Sequence, residues 1–319
     1  MTTQFIVLLL LNCFLLLLGH RLVQIGVTSI AIHMHLSRVL MDILLTPLTM
    51  ALPIVSLALI GKLYIDWIAN EFIISCVNGI NLINISFSLG FPAMIFGKIT
   101  IRSRLEILGI YVVTIATTIM YFTGYIIPIT SHYGIMYILS YLIFICMIIR
   151  TSKKFHLDSY DNHIDGKPVD GLVAVLCTIS GTAIILLAAS YIIPLVHLLA
   201  SESKIAVSFI GFTLLSHILC IPTIIPILLS TLKGKNEVSI RAAIYTSACN
   251  VLLVYGIQFA INQKINISKQ LYMSEMSGML IISLIGAFLS KNNNVSRKGS
   301  ITLFLIYLIF ICGNIAARI

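Results

Sequence analysis

Apolar residues fall into ten runs along the chain, at about 4–31, 39–61, 68–95, 107–128, 133–149, 172–200, 205–231, 238–262, 271–290 and 300–317. Each is near the length of about 20 residues that carries a helix across roughly 30 Å of hydrocarbon. The runs are continuous rather than alternating, so spanning helices are expected and a β-barrel is not. The longest hydrophilic stretch, RTSKKFHLDSYDNHIDGKPVDG at 150–171, separates five runs from five. The expected organisation is therefore a first five-helix unit at 1–149, a linker at 150–171 and a second five-helix unit at 172–319.

Composition agrees with this reading. Hydrophobic residues make up 59% of the 319 residues and charged ones 10%, against roughly 25% charged in a soluble domain. Lys and Arg are distributed unevenly: fourteen lie in the odd-numbered connections, five in the even connections and tails, and Arg21 lies inside the first run. By the positive-inside rule the odd connections, including 150–171, are cytoplasmic and both termini lie outside the cytoplasm, as in a multi-pass protein of a bacterial inner membrane. The net charge of +9 then reflects topology. No basic patch with interleaved aromatics accompanies it, so no nucleic-acid partner is expected; the partners are the lipid bilayer and a small solute. The first run has no basic leader and no small-residue cleavage site close behind it, and is kept as a span.

Two runs are interrupted in the same way. TMALPIVSLAL at 49–59 and ILCIPTIIPILL at 218–229 each hold a proline inside an apolar segment, Pro53 and Pro222, 169 residues apart. A proline removes a helical hydrogen bond and kinks or breaks the helix, so both are read as helix breaks. Asn81 and Asn250 share the 169-residue offset. Each half thus has a proline followed by an asparagine in the next span, and an odd number of spans per half sets the two halves in opposite directions. Inverted repeats with discontinuous helices near the midplane are a way of building a transport site, because the break exposes backbone to an ion.

These features resemble the sodium/calcium exchangers and the wider calcium/cation antiporters. LGHRLVQIG (18–26), MALPIV (50–55) and CVNGINL (76–82) fall at that family's spacing in the first half. FIGFTLLSHILCIPTII (209–225) and LKGKNEVSIRAAIYTSACNVLLVYG (232–256) do so in the second. The resemblance implies an all-α membrane fold of ten helices in two inverted five-helix repeats. It also implies secondary cation transport by alternating access, in which the first and sixth helices slide against the other eight. It places the solute path at Asn78, Asn81, Thr223, Thr246 and Asn250.

The departures shape the expected chemistry. In the family each of the two prolines precedes a cation-binding Glu; here Ile54 and Thr223 follow them. The hydroxyl pairs before the prolines are replaced by Met50 with Ala51 and by Leu219 with Cys220, and the Ser of the third-helix motif by Val77. Calcium takes six to eight oxygens, usually with carboxylates among them, and a dication in low dielectric without countercharge is severely unfavourable. Ca²⁺ is therefore doubtful as a substrate, and Na⁺ or another monovalent cation is expected. The alternative is a non-transporting membrane scaffold or assembly partner that keeps the fold.

Other polar positions admit two readings each. Asn70, Ser75, Asn78, Asn81 and Asn84 recur along the third run, as interhelical glue or as a solute path. Asp42 lies inside the second run, where a carboxylate is a functional candidate, but a pair with Arg38 near the interface is expected. His217 is a proton relay or, preferably, a bonded core histidine. His20 and Arg21 face the interior or snorkel. Glu71 is read as an interfacial charge, and Asp161, His163 and Asp165 as part of a solvated linker rather than a metal site. All seven cysteines lie in runs and read as small apolar residues. Neither an enzyme motif nor a cofactor motif is present, so no enzyme activity, no cofactor and no resident metal is expected. Oligomeric state carries no signal.

Overall fold

The computed structural model describes residues 2–37, 40–64, 66–101, 104–154, 168–234, 237–291 and 293–316. Among the described residues ten helices are long and apolar enough to span a membrane. They are Thr3–His33 (α1), Met41–Tyr64 (α2), Asn70–Phe96 (α3), Arg104–Ile126 (α4), Ser131–Thr151 (α5), Gly171–Ser203 (α6), Val207–Leu232 (α7), Ile240–Ala260 (α8), Tyr272–Ser290 (α9) and Arg297–Ala316 (α10). Each coincides with one apolar run. Asp170 caps α6 by accepting from the Leu172 N–H, and Gly97 ends α3 in a left-handed conformation at φ 79°. Most of the linker, residues 155–167 with Asp161, His163 and Asp165, lies outside the described residues.

The fold is two inverted five-helix repeats, and the 169-residue offset recurs throughout it. The α2 and α7 helices both enter through a π-type turn, Met41–Leu45 and Ile210–Leu215. Two short antiparallel ladders tie the loops. Lys98–Thr100 (β1), after α3, pairs with Asn294–Ser296 (β4), before α10. Ile129–Thr130 (β2), before α5, pairs with Lys264–Ile265 (β3), after α8. Exchanging the halves turns one ladder's loops into the other's. Two side-chain contacts also join residues 169 apart: the Thr114 hydroxyl donates to the Ser283 carbonyl at 3.0 Å, and Asn250 Nδ2 lies 3.5 Å from Asn81 Oδ1. Residues related by a two-fold touch one another only near its axis, so α3 crosses α8, and α4 crosses α9, on the pseudo-two-fold.

The core follows from this crossing. The apolar window of α3 is 94% buried and that of α6 only 28%, which puts α3 at the centre and α6 against lipid. The outer helices α1 and α6 pack backbone to backbone. A Cβ added at Gly19 would lie 2.8 Å from the Gly181 carbonyl oxygen, and one at Gly26 would lie 2.4 Å from that of Ala174. In lipid, such small-residue contacts are how two helices gain packing energy.

The prolines do not break their helices. The α-helical segments Thr46–Tyr64 and Ser216–Leu232 run through Pro53 and Pro222, and the irregular backbone lies earlier, in the π-type turns. At Pro53 the structure shows how the lost bond is made good. Proline at 53 leaves the carbonyl of Thr49 without its i+4 donor, and His20 Nδ1 of α1 donates to that carbonyl at 3.1 Å. His20 is buried, which decides between the interior and the interface for this residue.

Replacing His20 by Ala should strand the Thr49 carbonyl and cost about 1–3 kcal/mol of stability. In a Pro53→Ala background the residue-53 N–H takes over, so the same substitution should cost distinctly less. Thermal unfolding of the four proteins in detergent checks this; additive effects would contradict the proposed repair.

Candidate functional site

The polar centre is built by α3 and α8 with help from α7. The recurring asparagines of α3 point their amide oxygens at donors from the second half. Gln258 Nε2 donates to Asn70 Oδ1 and the Tyr255 hydroxyl donates to Asn78 Oδ1, each at 2.5 Å. Asn250 Nδ2 approaches Asn81 Oδ1 at 3.5 Å, and the Cys220 thiol approaches Asn84 Oδ1 at 3.8 Å. Asn78, Asn81, Asn84, Thr246 and Asn250 are all buried.

These bonds use only part of the available valence. The side-chain nitrogens of Asn78, Asn81 and Asn84, the oxygen of Asn250 and the hydroxyls of Ser75, Thr246 and Ser247 are buried and have no hydrogen-bond partner among the described residues. A polar atom left so costs free energy, and several gathered around one axis form a region with unused capacity for a polar guest. A 3.5 Å amide contact is long, so the Asn81 and Asn250 amides are held loosely, and a rotation of either would present an oxygen in place of a nitrogen. The centre can therefore coordinate a cation with neutral oxygens or hydrogen-bond a neutral solute.

Of the expected path residues, Asn81 and Asn250 meet directly, and Asn78 joins them through Tyr255, which also packs on Phe259. Thr246 is buried on α8 one turn before Asn250. Thr223 instead faces Met50 of α2, its hydroxyl 4.0 Å from the thioether sulfur, so the two proline-bearing helices meet through these side chains. His217 bonds Tyr307 of α10 at 2.7 Å, as a bonded core histidine would. Glu71 is half-buried at the start of α3.

Asp42 has a partner in the second half. Arg38 lies outside the described residues, and Asp42 Oδ2 lies 3.8 Å from Arg241 Nη1 of α8. Arg241 Nε in turn donates to Glu106 Oε1 of α4 at 3.0 Å. The trio joins the entries of α2, α4 and α8 at one face of the bundle, where one guanidinium hydrogen-bonds Glu106 and lies within ion-pair distance of Asp42.

Comparison with known proteins places this geometry. The sodium/calcium exchanger protein family matches residues 173–316. Residues 173–316 belong to the sodium/calcium exchanger family. The exchanger fold extends over the first half as well. A structure of the sodium-calcium exchanger NCX_Mj superposes with a TM-score of 0.63 at 17% identity, covering 98% of this chain and 99% of that one. The H⁺/Ca²⁺ exchanger CAX superposes with a TM-score of 0.75 at 13% identity, covering 98% and 87%. NCX_Mj soaked with zero Na⁺ and Ca²⁺ gives 0.60 at 18% identity. Among curated proteins none matches by sequence. At these identities the superpositions establish the exchanger fold alone.

Several residues of the polar centre escaped sequence reasoning. Tyr255, Gln258 and Cys220 reach the asparagines only because of how α3, α7 and α8 cross. Two buried carboxylates, Glu106 and Glu275, carried a readable signal. They are 169 residues apart and each is followed at the same distance by a glycine, Gly109 and Gly278.

Arg241→Met should leave Asp42 and Glu106 facing each other across the entry and cost about 3–5 kcal/mol. Adding Glu106→Gln should recover part of the loss. Unfolding in detergent reads both, and an equal loss with and without Glu106→Gln would show that carboxylate repulsion is not the cause.

Proposed function

We propose that the protein is a secondary cation antiporter that works by alternating access around Asn81 and Asn250, with a site that has no carboxylate at the proline positions. The observation that carries this reading is the meeting of the two asparagines, one from each inverted repeat, fully buried on the pseudo-two-fold of an exchanger fold. A binding centre on that axis presents the same groups to both sides of the membrane, which alternating access requires. Asn78 and Thr246 extend the centre along α3 and α8, and Thr223 lines the approach between α2 and α7.

The substrate class follows from the ligand set. With Ile54 and Thr223 where the family resemblance implies glutamates, the ligands at the centre are amide and hydroxyl oxygens. Neutral oxygens suit a small monovalent cation such as Na⁺; Ca²⁺ asks for more negative charge than they provide. Motion is assigned to α1 and α6, whose tight glycine contact lets them slide as one unit against the other eight helices. The proposed setting is a bacterial inner membrane with both termini outside the cytoplasm, supported by the Lys and Arg bias of the odd connections.

A second reading has its own observation. Met50, Ala51, Leu219 and Cys220 stand where the resemblance implies hydroxyl pairs, and an apolar approach suits a scaffold that keeps the fold without transport.

Purified protein in proteoliposomes should show counterflux driven by a monovalent gradient when Na⁺, K⁺, H⁺ and Ca²⁺ are compared. Asn81→Ala with Asn250→Ala should lower it at least about tenfold while the protein stays folded, the equivalent of roughly 1.4 kcal/mol or more in binding. No flux under any gradient would favour the scaffold.

A further inference from the structure

We propose that Lys62 is the lock of an outer access route to the polar centre, a file of amide side chains between α3 and α8 whose mouth its ammonium group occupies and must leave before a cation can pass. This rests on the antiporter reading above and adds to it the route and the residue that closes it.

The file runs from the centre to the end of the bundle where α2 stops and α3 starts, which is the outer end in the orientation proposed above. On α8, Thr246, Asn250, Tyr255, Gln258 and Asn262 follow one another at intervals of four, five, three and four. Three or four residues return an α-helix to the same side, and the interval of five falls across the π-type turn Asn250–Val254, where the repeat is five. The irregular turn therefore keeps all five positions on one face. The α3 helix opposes three of them, with Asn81 at Asn250, Asn78 at Tyr255 and Asn70 at Gln258.

Beyond the centre each polar group bonds the next. Gln258 Nε2 donates to Asn70 Oδ1 at 2.5 Å, Asn262 Nδ2 donates to the Gln258 carbonyl at 2.7 Å, and Lys62 Nζ donates to Asn262 Oδ1 at 3.0 Å. Burial rises inward: Lys62 and Asn70 are half-buried, whereas Asn262 is 3% and Gln258 1% exposed. Gln258 Oε1 is buried and has no hydrogen-bond partner among the described residues, so an acceptor inside the file is left for a guest.

The lysine indicates what that guest can be. An ammonium is itself a monovalent cation, and it is seated on an amide oxygen, the ligand type of the centre. While it stays there it fills the mouth and repels a second cation that approaches. Its four-carbon stem is flexible, so the group can swing out to water and leave Asn262 Oδ1 open to the incoming ion.

The inverted repeat supplies the contrast. The positions equivalent to Tyr255, Gln258 and Asn262 are Ser86, Leu89 and Ala93, and the position equivalent to Lys62 is Thr231. All four are buried, and none of them is an amide or an amine. Both halves share one backbone architecture, so that architecture does not require the amides or the lysine of the outer end.

The test is thiol labelling in detergent, read by peptide mass spectrometry so that native cysteines are counted apart. Cysteine is placed at Gln258 and, as the control from the other half, at Leu89; a cationic and an anionic methanethiosulfonate reagent of similar size are compared. Gln258→Cys should react and Leu89→Cys should not. Lys62→Met should speed the reaction of Gln258→Cys about tenfold or more with the cationic reagent and distinctly less with the anionic one. Absence of labelling at Gln258→Cys, or labelling that Lys62→Met does not speed selectively with the cationic reagent, overturns the assignment. Labelling of Leu89→Cys at the same rate overturns it as well, because water then reaches both ends alike. If Lys62→Met does not fold, Asn262→Ala decides: it removes the acceptor that seats the ammonium and should speed labelling too, and an unchanged rate there overturns the lock. If Gln258→Cys does not fold, Asn70→Cys takes its place. Flux in proteoliposomes separates the two levels: flux with labelling indifferent to residue 62 refutes the lock and spares the antiporter, whereas selective labelling without flux under any gradient refutes the antiporter and leaves a gated route to a binding centre.

Discussion

In hydrocarbon a polar group has only the protein to bond to, and the interior of this bundle is arranged around that constraint. The α3 helix carries four asparagines through the centre, and each amide oxygen is met by a donor from the opposite half. Those cross-repeat bonds fix the rotation of α3 against α8 and hence the position of the pseudo-two-fold. The same constraint explains the proline helices. At Pro53 the freed carbonyl is answered by His20 from α1, so the helix continues where a helix in isolation would break. A sequence rule about one helix was overridden by a bond from its neighbour.

That override marks the boundary of what the sequence makes legible. Span number, span limits and the division into five and five follow from hydropathy, because a membrane imposes one length scale on every helix. The Asn81 and Asn250 pair was readable through the offset it shares with the prolines. The partners of those asparagines were not, since whether Tyr255 or Gln258 faces α3 depends on helix rotation, which apolar periodicity barely constrains when all sides of a helix are apolar. Asp42 shows the same limit: its approach to Arg241 depends on the crossing of α8 and has no signal in the local sequence. Glu106 and Glu275 were a different case. Their offset was visible, yet Glu106 sits two residues from Arg104 and reads as an interfacial charge, and Glu275 sits in a polar-looking entry, YMSEMSG.

Comparison of the two halves separates what the fold needs from what the site uses. Features kept at the offset include the proline, the central asparagine, the π-type entry turn and a Glu followed by Gly. Architecture accounts for the first three, since both repeats must enter, bend and cross alike. The fourth is a buried carboxylate in each half, and in the first it is bound into the trio with Arg241 and Asp42.

Electrostatics then favours one arrangement of charge. The cost of burying an ion rises with the square of its charge, so a dication at the Asn81–Asn250 centre would be about four times as expensive as a monocation there, in a setting where even a single unpaired charge costs several kcal/mol. Amide and hydroxyl oxygens offset part of that for one charge and far less for two. Neutral oxygens also hold a monocation without the full attraction of a carboxylate, so that release need not be slow, as passage through a binding site demands.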